Sequence, residues 1–153
     1  MKTRIDYRKA APDAFKAMLD LEAGVRRAGL EHSLIELVKM RVSQVNGCGY
    51  CLDMHSKDAR AAGETEQRLY LLSAWREAPF YSQRERAALS WAEAVTQVSM
   101  NDLPDALYAE VCEHFDEKAM VELTLAIIAI NGWNRLAIAF RAEVGSYAPS
   151  PAK

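Results

Sequence analysis

The sequence predicts an all-α protein of about six to seven helices, on three observations. Apolar residues recur at helical spacing in every long segment. Residues that start and stop helices punctuate the chain at regular intervals. No segment alternates polar and apolar residues with period two for long, so no strand is expected. The 153 residues suit a single domain over 1–146, with a loose tail at 147–153, "YAPSPAK".

Taken in order, "APDAFKAMLDLEAGVRRAG" carries Phe15, Met18, Leu19, Leu21, Ala23 and Val25 close to one stripe, with Pro12 and Asp13 suited to its start and Gly29 to its end. "EHSLIELVKMRVSQVNG" repeats the pattern through Leu34, Leu37, Val38, Met40, Val42 and Val45 and stops at Asn46-Gly47, a favourable left-handed cap. A third helix is expected from Cys48 to Ala62, ending at Gly63. "TEQRLYLLSAWREA" starts at Thr65 and closes before Pro79. Ser82 with Glu85 three residues on forms a capping box for the next helix. "PDALYAEVCEHF" has Pro104 near its first turn. The last segment runs from Asp116 to Gly145, with apolar residues on nearly every face. A helix of that kind is buried, and one this long in so small a chain is expected to lend part of its surface to another subunit.

Composition narrows the partners. Half the residues are hydrophobic and 26% are charged, and the net charge is −2. No basic block or face stands out, so no nucleic-acid partner is expected. The first fifteen residues, "MKTRIDYRKAAPDAF", hold no apolar run of the signal-peptide type. The longest apolar stretch, "LTLAIIAI", falls short of the ~20 residues of a membrane span. A cytoplasmic protein without a membrane partner is the expectation, and in a reducing compartment a close cysteine pair points to metal or redox chemistry rather than a structural disulfide.

The pair lies in "NGCGYCLDMH", Asn46 to His55. If Cys48 opens a helix, Cys51 lies one turn on and His55 a second turn on, all on one face. A helix N-terminus stabilises a thiolate, and a neighbouring imidazole can take a thiol proton. Three readings follow. A thioredoxin-like site needs a strand before its cysteines, whereas helical patterns flank these. A zinc site could draw on Cys48, Cys51 and His55 with Glu36 or His32 as fourth ligand, but structural sites usually bring a second clustered pair, and Cys112 stands alone. Two cysteines on a core wall would sit in an apolar stripe, whereas Asn46, Gly47, Gly49 and Tyr50 make a polar, tight turn. On these residues a stable zinc site is the minor reading, and no cofactor is expected.

The stretch "ELVKMRVSQVNGCGYCLDMHSKDARAAG", Glu36 to Gly63, resembles the core of the alkylhydroperoxidase D-like family, within the carboxymuconolactone decarboxylase-like superfamily. Glu36, Ser43, Asn46, Cys48, Tyr50, Cys51 and His55 carry the resemblance, and "RIDYRKAAPDAFKAM" and "INGWNRLAIAFR" look like the flanking regions. The resemblance implies an all-α fold that assembles through its helices, as a trimer or hexamer, and thiol-dependent reduction of hydroperoxides. It implies Cys51 as attacking thiolate, His55 as acceptor of its proton, Glu36 as support for that relay, and Cys48 as the thiol that closes a Cys48–Cys51 disulfide. A thiol or dithiol protein would then be the reductant. Tyr50 departs from the best-characterised type, which has histidine there. With a reference pKa of about 10, Tyr50 suits hydrogen bonding rather than base catalysis. Ser43 and Asn46 are expected to support the site. The competing readings are a redox-switched oligomer without turnover, and a lactone decarboxylase-like enzyme.

Of the remaining polar and aromatic residues, His32 is expected in solvent, and Cys112 and His114 in structural roles. Trp75, Trp91 and Trp133 are expected in the core; Asn131, Asn134 and Arg135 could line the site or bridge subunits, with a structural or interface role favoured.

Overall fold

The computed structural model describes residues 2–149, which contain eight α-helices and no strand. They are α1 (Tyr7–Ala10), α2 (Pro12–Arg27), α3 (His32–Asn46), α4 (Gly49–Ala61), α5 (Glu66–Leu71), α6 (Gln83–Thr96), α7 (Asp105–Cys112) and α8 (Glu117–Phe140), with a 3₁₀ turn over Leu72–Ala74. The count exceeds six to seven because of α1. Asp6 caps this single turn by accepting a hydrogen bond from the Arg8 amide, and four residues are too few to show a period.

Local chemistry sets the boundaries. Ser82 and Glu85 form the capping box of α6, and Thr65 caps α5 through the Arg68 amide. Gly47 ends α3 at φ 68°, a left-handed conformation that suits glycine. The last helix stops earlier than Gly145. Arg141 takes the left-handed conformation at φ 56°, and the amides of Arg141 and Ala142 turn back onto the carbonyls of Ile138 and Ala137. These two hydrogen bonds satisfy the final carbonyls without a glycine.

Helix α8 runs through the middle of the bundle and packs on α3, α2, α6 and α4. Leu123, Ala126, Ile127, Ala129 and Ile130 are sealed against Val38 and Val42 of α3 and Ala88 and Ala92 of α6. A second core gathers Leu37, Met40, Leu69, Leu72, Trp75, Tyr81 and Leu89 beneath α5 and the 3₁₀ turn. Gly132 allows α2 to approach α8, since a Cβ there would meet Met18 Cε at 2.8 Å. That close approach sets Phe15 beside Trp133 and lets the Trp133 indole reach Glu22.

By length and mean hydropathy (24 residues, 1.4) α8 could cross a membrane, but it is the core helix of this bundle. It is not buried all round. Val121, Leu125 and Ile128, at helical spacing, are 60%, 40% and 49% exposed, and Ile138 is also open. Trp75 and Trp91 are buried as expected, whereas Trp133 is half-buried and borders a cavity. In the expected loose tail, Tyr147 is held on α4. Its hydroxyl donates to Asp58 and its carbonyl accepts from Lys57. Residues 150–153 of that tail lie outside the described residues.

Candidate active site

Helix α3 supplies a polar face on an otherwise apolar helix. Glu36, Lys39, Ser43 and Asn46 follow one another at three- and four-residue steps, so they share one side. That side looks toward α4 and α8. The left-handed turn at Gly47 then directs the chain into α4, with the Cys48 amide bonded to the Ser43 carbonyl.

Cys48 is the N-cap of α4. Its sulfur accepts the Cys51 amide at 3.4 Å, the place a serine or aspartate oxygen takes in other helices. Cys51 follows within the first turn and His55 one turn later, and all three side chains are buried. Both thiols are free.

His55 Nδ1 lies 2.8 Å from Glu36 Oε2. A carboxylate only accepts, so Nδ1 carries the proton and Nε2 is left as the basic nitrogen. Burial alone would raise the Glu36 carboxyl. The hydrogen bond and charge of His55, with Lys39 and His32 nearby, outweigh burial and hold it below the ordinary carboxylate range. His32, exposed as expected, stands 3.9 Å from the other Glu36 oxygen.

The two cysteines are pushed in opposite directions. Hydrogen bonding from the Cys51 thiol, opposed by burial and helped by the Cys51 amide, Asn134 and the Tyr50 amide, lowers the Cys48 thiol from 9.0 to about 7. The Cys48 neighbour and burial raise Cys51. The pair therefore gives up a first proton readily and a second with difficulty, and at rest the charge favours Cys48.

Sequence reasoning gave Lys39 and Glu22 no role and favoured a structural or interface place for Asn134. Asn134, expected in a structural or interface role, is fully buried and donates to Ser43 Oγ at 3.1 Å while accepting from Asn46 at 2.8 Å. It also favours the Cys48 thiolate. Ser43 and Asn46, expected to support the site, both bond Asn134. Lys39 and Glu22 form a buried pair at 2.5 Å, and Trp133 Nε1 donates to the same glutamate. The buried charged residue within "ELVKMRVSQ" was the available signal, because a lysine on an apolar helix face needs a partner.

Cys51, Tyr50 and His55 open onto a cavity of about 240 Å³, with Tyr7, Arg8 and Trp133 among its other walls. Cys48 borders a separate recess of about 750 Å³ with Tyr50, Gly49 and Val144. Among the described residues no three His, Cys, Asp or Glu side chains are grouped to hold a metal ion. Cys112 lies exposed on α7, away from the pair.

The arrangement provides an ionisable dithiol at a helix N-terminus with an oriented imidazole beside it. Residues 12–94 match the carboxymuconolactone decarboxylase family. The uncharacterized protein YdfG of Bacillus subtilis (strain 168) is 48% identical over 139 residues, which cover 91% of this chain and 95% of that one. The crystal structure of an Agrobacterium tumefaciens protein of unknown function, described there as an antioxidant defence protein of the AhpD type, is 46% identical and superposes with a TM-score of 0.92 over 95% of this chain and 100% of that one. The debrominase Bmp8, solved with 2,3,4-tribromopyrrole, shares the fold at 21% identity, with a TM-score of 0.80 over 90% of this chain and 74% of that one.

Proposed function

This chain belongs to the carboxymuconolactone decarboxylase family, whose members are enzymes of varied kinds, and on that premise we propose that it is a thiol-dependent peroxidase of the alkylhydroperoxidase D-like type. The observation that carries this reading is the buried His55–Glu36 pair beside a dithiol, with Cys51 and His55 on one cavity.

A hydroperoxide enters that cavity and meets Cys51. His55 Nε2 takes the Cys51 proton as the sulfur attacks the peroxide oxygen. The O–O bond breaks, Cys51 becomes a sulfenic acid, and the departing alkoxide recovers the proton from His55 as an alcohol. Cys48, whose thiol is lowered to about 7, then attacks the Cys51 sulfur and releases water. An external thiol or dithiol protein reduces the resulting Cys48–Cys51 disulfide by exchange. The cycle needs no metal, flavin or nucleotide.

Cavity and charge point to different sulfurs here. The easier ionisation belongs to Cys48, but Cys51 is the sulfur on the His55 cavity. We give attack to Cys51 because it shares its cavity with His55, and a thiol raised by its Cys48 neighbour and by burial is the one that needs a base. Glu36 keeps His55 in the required tautomer and balances the imidazolium. Tyr50 borders both openings and offers a hydrogen bond rather than a proton acceptor.

The open stripe Val121, Leu125 and Ile128 supports assembly with further copies of the chain, as a trimer or hexamer, and a cytoplasmic setting would keep the pair reducible. Steady-state turnover of an organic hydroperoxide with a dithiol reductant tests the assignment. Cys51→Ser should abolish turnover, and Cys48→Ser should leave a sulfenic acid that dimedone traps. Normal turnover by Cys51→Ser rejects it.

A further inference from the structure

The cavity above Cys51 has a chemical character of its own. Four aromatic rings adjoin in a chain along its side. Phe140 lies 5.8 Å from Tyr7, Tyr7 lies 5.9 Å from Phe15, and Phe15 meets Trp133 edge-on at 5.8 Å. Three of these, Tyr7, Phe15 and Trp133, line the cavity, and Tyr50 adds a further ring beside the sulfur. A cavity of roughly 150 Å³ with apolar walls holds a benzene ring, so about 240 Å³ accommodates one substituted ring.

Charge is distributed unevenly on these walls. Glu22 is neutralised by Lys39 at 2.5 Å and lies 3.5 Å from Arg26. Asp58 accepts the Tyr147 hydroxyl at 2.7 Å. Arg8 is exposed where it lines the cavity, stands over the Phe15 ring at 5.8 Å, and has the phenols of Tyr50 and Tyr7 beside it, while Asp6 accepts its backbone amide. Among the described residues its guanidinium is paired with no carboxylate. A guanidinium left without an acid on the wall of an apolar pocket is a receptor for a compact planar anion.

We propose that this cavity selects single-ring aromatic hydroperoxides that carry a carboxylate, the ring lying among Tyr7, Phe15 and Trp133 and the carboxylate reaching Arg8. The inference rests on the peroxidase reading and names its substrate class. Arg8 is a specificity residue in this account and takes no part in the redox step. The cavity leaves the carboxylate end of the ligand at the protein surface and its hydroperoxide end at Cys51.

Two measurements test it and separate it from the peroxidase reading. The first is calorimetric binding of para-isopropylbenzoate, which cannot react, against its neutral counterpart para-isopropylbenzamide. The carboxylate should bind about tenfold more tightly, the lower range for one hydrogen-bonded charged contact, and Arg8→Gln should bring the two within about twofold. The second is turnover of para-carboxylated cumene hydroperoxide against cumene hydroperoxide and tert-butyl hydroperoxide. The carboxylated substrate should have the highest kcat/KM, with the advantage over cumene hydroperoxide lost in Arg8→Gln. Equal binding of acid and amide, or no binding of either, overturns the proposal even if all three peroxides turn over. Selective, Arg8-dependent binding without any turnover supports the cavity assignment and rejects the peroxidase reading.

Discussion

His55 Nδ1 and Glu36 Oε2 meet at 2.8 Å inside the protein, each side chain shielded from water by the helices that carry it. A base held this way has one tautomer and one orientation. Replacing His55 by Ala should lower kcat/KM about a hundredfold, a modest value for removal of a positioned base. Glu36→Gln should keep the imidazole in place but lose its charge partner, with a loss of about tenfold, the lower end for removing a carboxylate that orients a histidine. Comparable loss in both variants, with unchanged folding, would give Glu36 a larger part than orientation.

Glu36 also predicts how stability responds to acid. Its carboxyl is lower in the folded protein than its ordinary value. Its contribution is therefore complete above the unfolded pKa and is lost as pH falls through the depressed folded value. Urea unfolding below neutrality should show a smaller loss of stability on acidification in Glu36→Gln than in the wild type.

The Cys48 thiolate should grow in with a midpoint near 7, followed by ultraviolet thiolate absorbance in the reduced protein. Cys51→Ala removes the hydrogen bond that lowers it most, and the midpoint should move up toward the ordinary thiol value. In the wild type, folding lowers this thiol from 9.0 to about 7. The unfolded chain thus binds more protons between those values, and the Cys48 contribution to stability rises with pH across that window and fades below it. An unmoved midpoint in Cys51→Ala would break the coupling described for the pair.

Asn134 joins the support of the site to its electrostatics. Asn134→Ala leaves Ser43 without its donor and Asn46 with one acceptor fewer. The cost should be about 2 kcal/mol for buried polar groups left unpaired. Because Asn134 favours the Cys48 thiolate, the same variant should raise the Cys48 midpoint. Loss of stability without that rise would confine Asn134 to packing.

Lys39 and Glu22 offer a check on the buried frame. Lys39→Met removes one member of a shielded ion pair and should cost about 3 kcal/mol in urea unfolding, the lower end for breaking such pairs. Glu22 retains Arg26 and the Trp133 indole, which keeps the loss at that end.

Much of the site was legible because its spacing is the spacing of helices. Glu36 and His55 are on different helices, but the motif that links them resembles a family pattern, and the cysteines and His55 share one face of α4. The helix-level reading of α2, α3, α6 and α8 came from periodicity and caps, which are local. What stayed hidden depends on distance in the chain. Asn134 reaches Asn46 and Ser43 across 88 and 91 residues, and Trp133 reaches Glu22 across 111. No local pattern announces such partners. Tyr147 was set aside with the tail because its anchors, Asp58 and Lys57, belong to α4. The end of α8 was misplaced for a different reason, since Arg141 adopts the left-handed turn expected at Gly145.

The proposed chemistry stands on Cys48 and Cys51 forming a working dithiol. Its most direct test is to add one equivalent of an organic hydroperoxide to the reduced, metal-free protein, count the thiols lost under denaturing conditions and map any bridge by mass spectrometry. Rapid loss of two thiols as a Cys48–Cys51 disulfide, with Cys112 still free, is the expected result. Three intact thiols in a folded protein, or a bridge through Cys112, would contradict it.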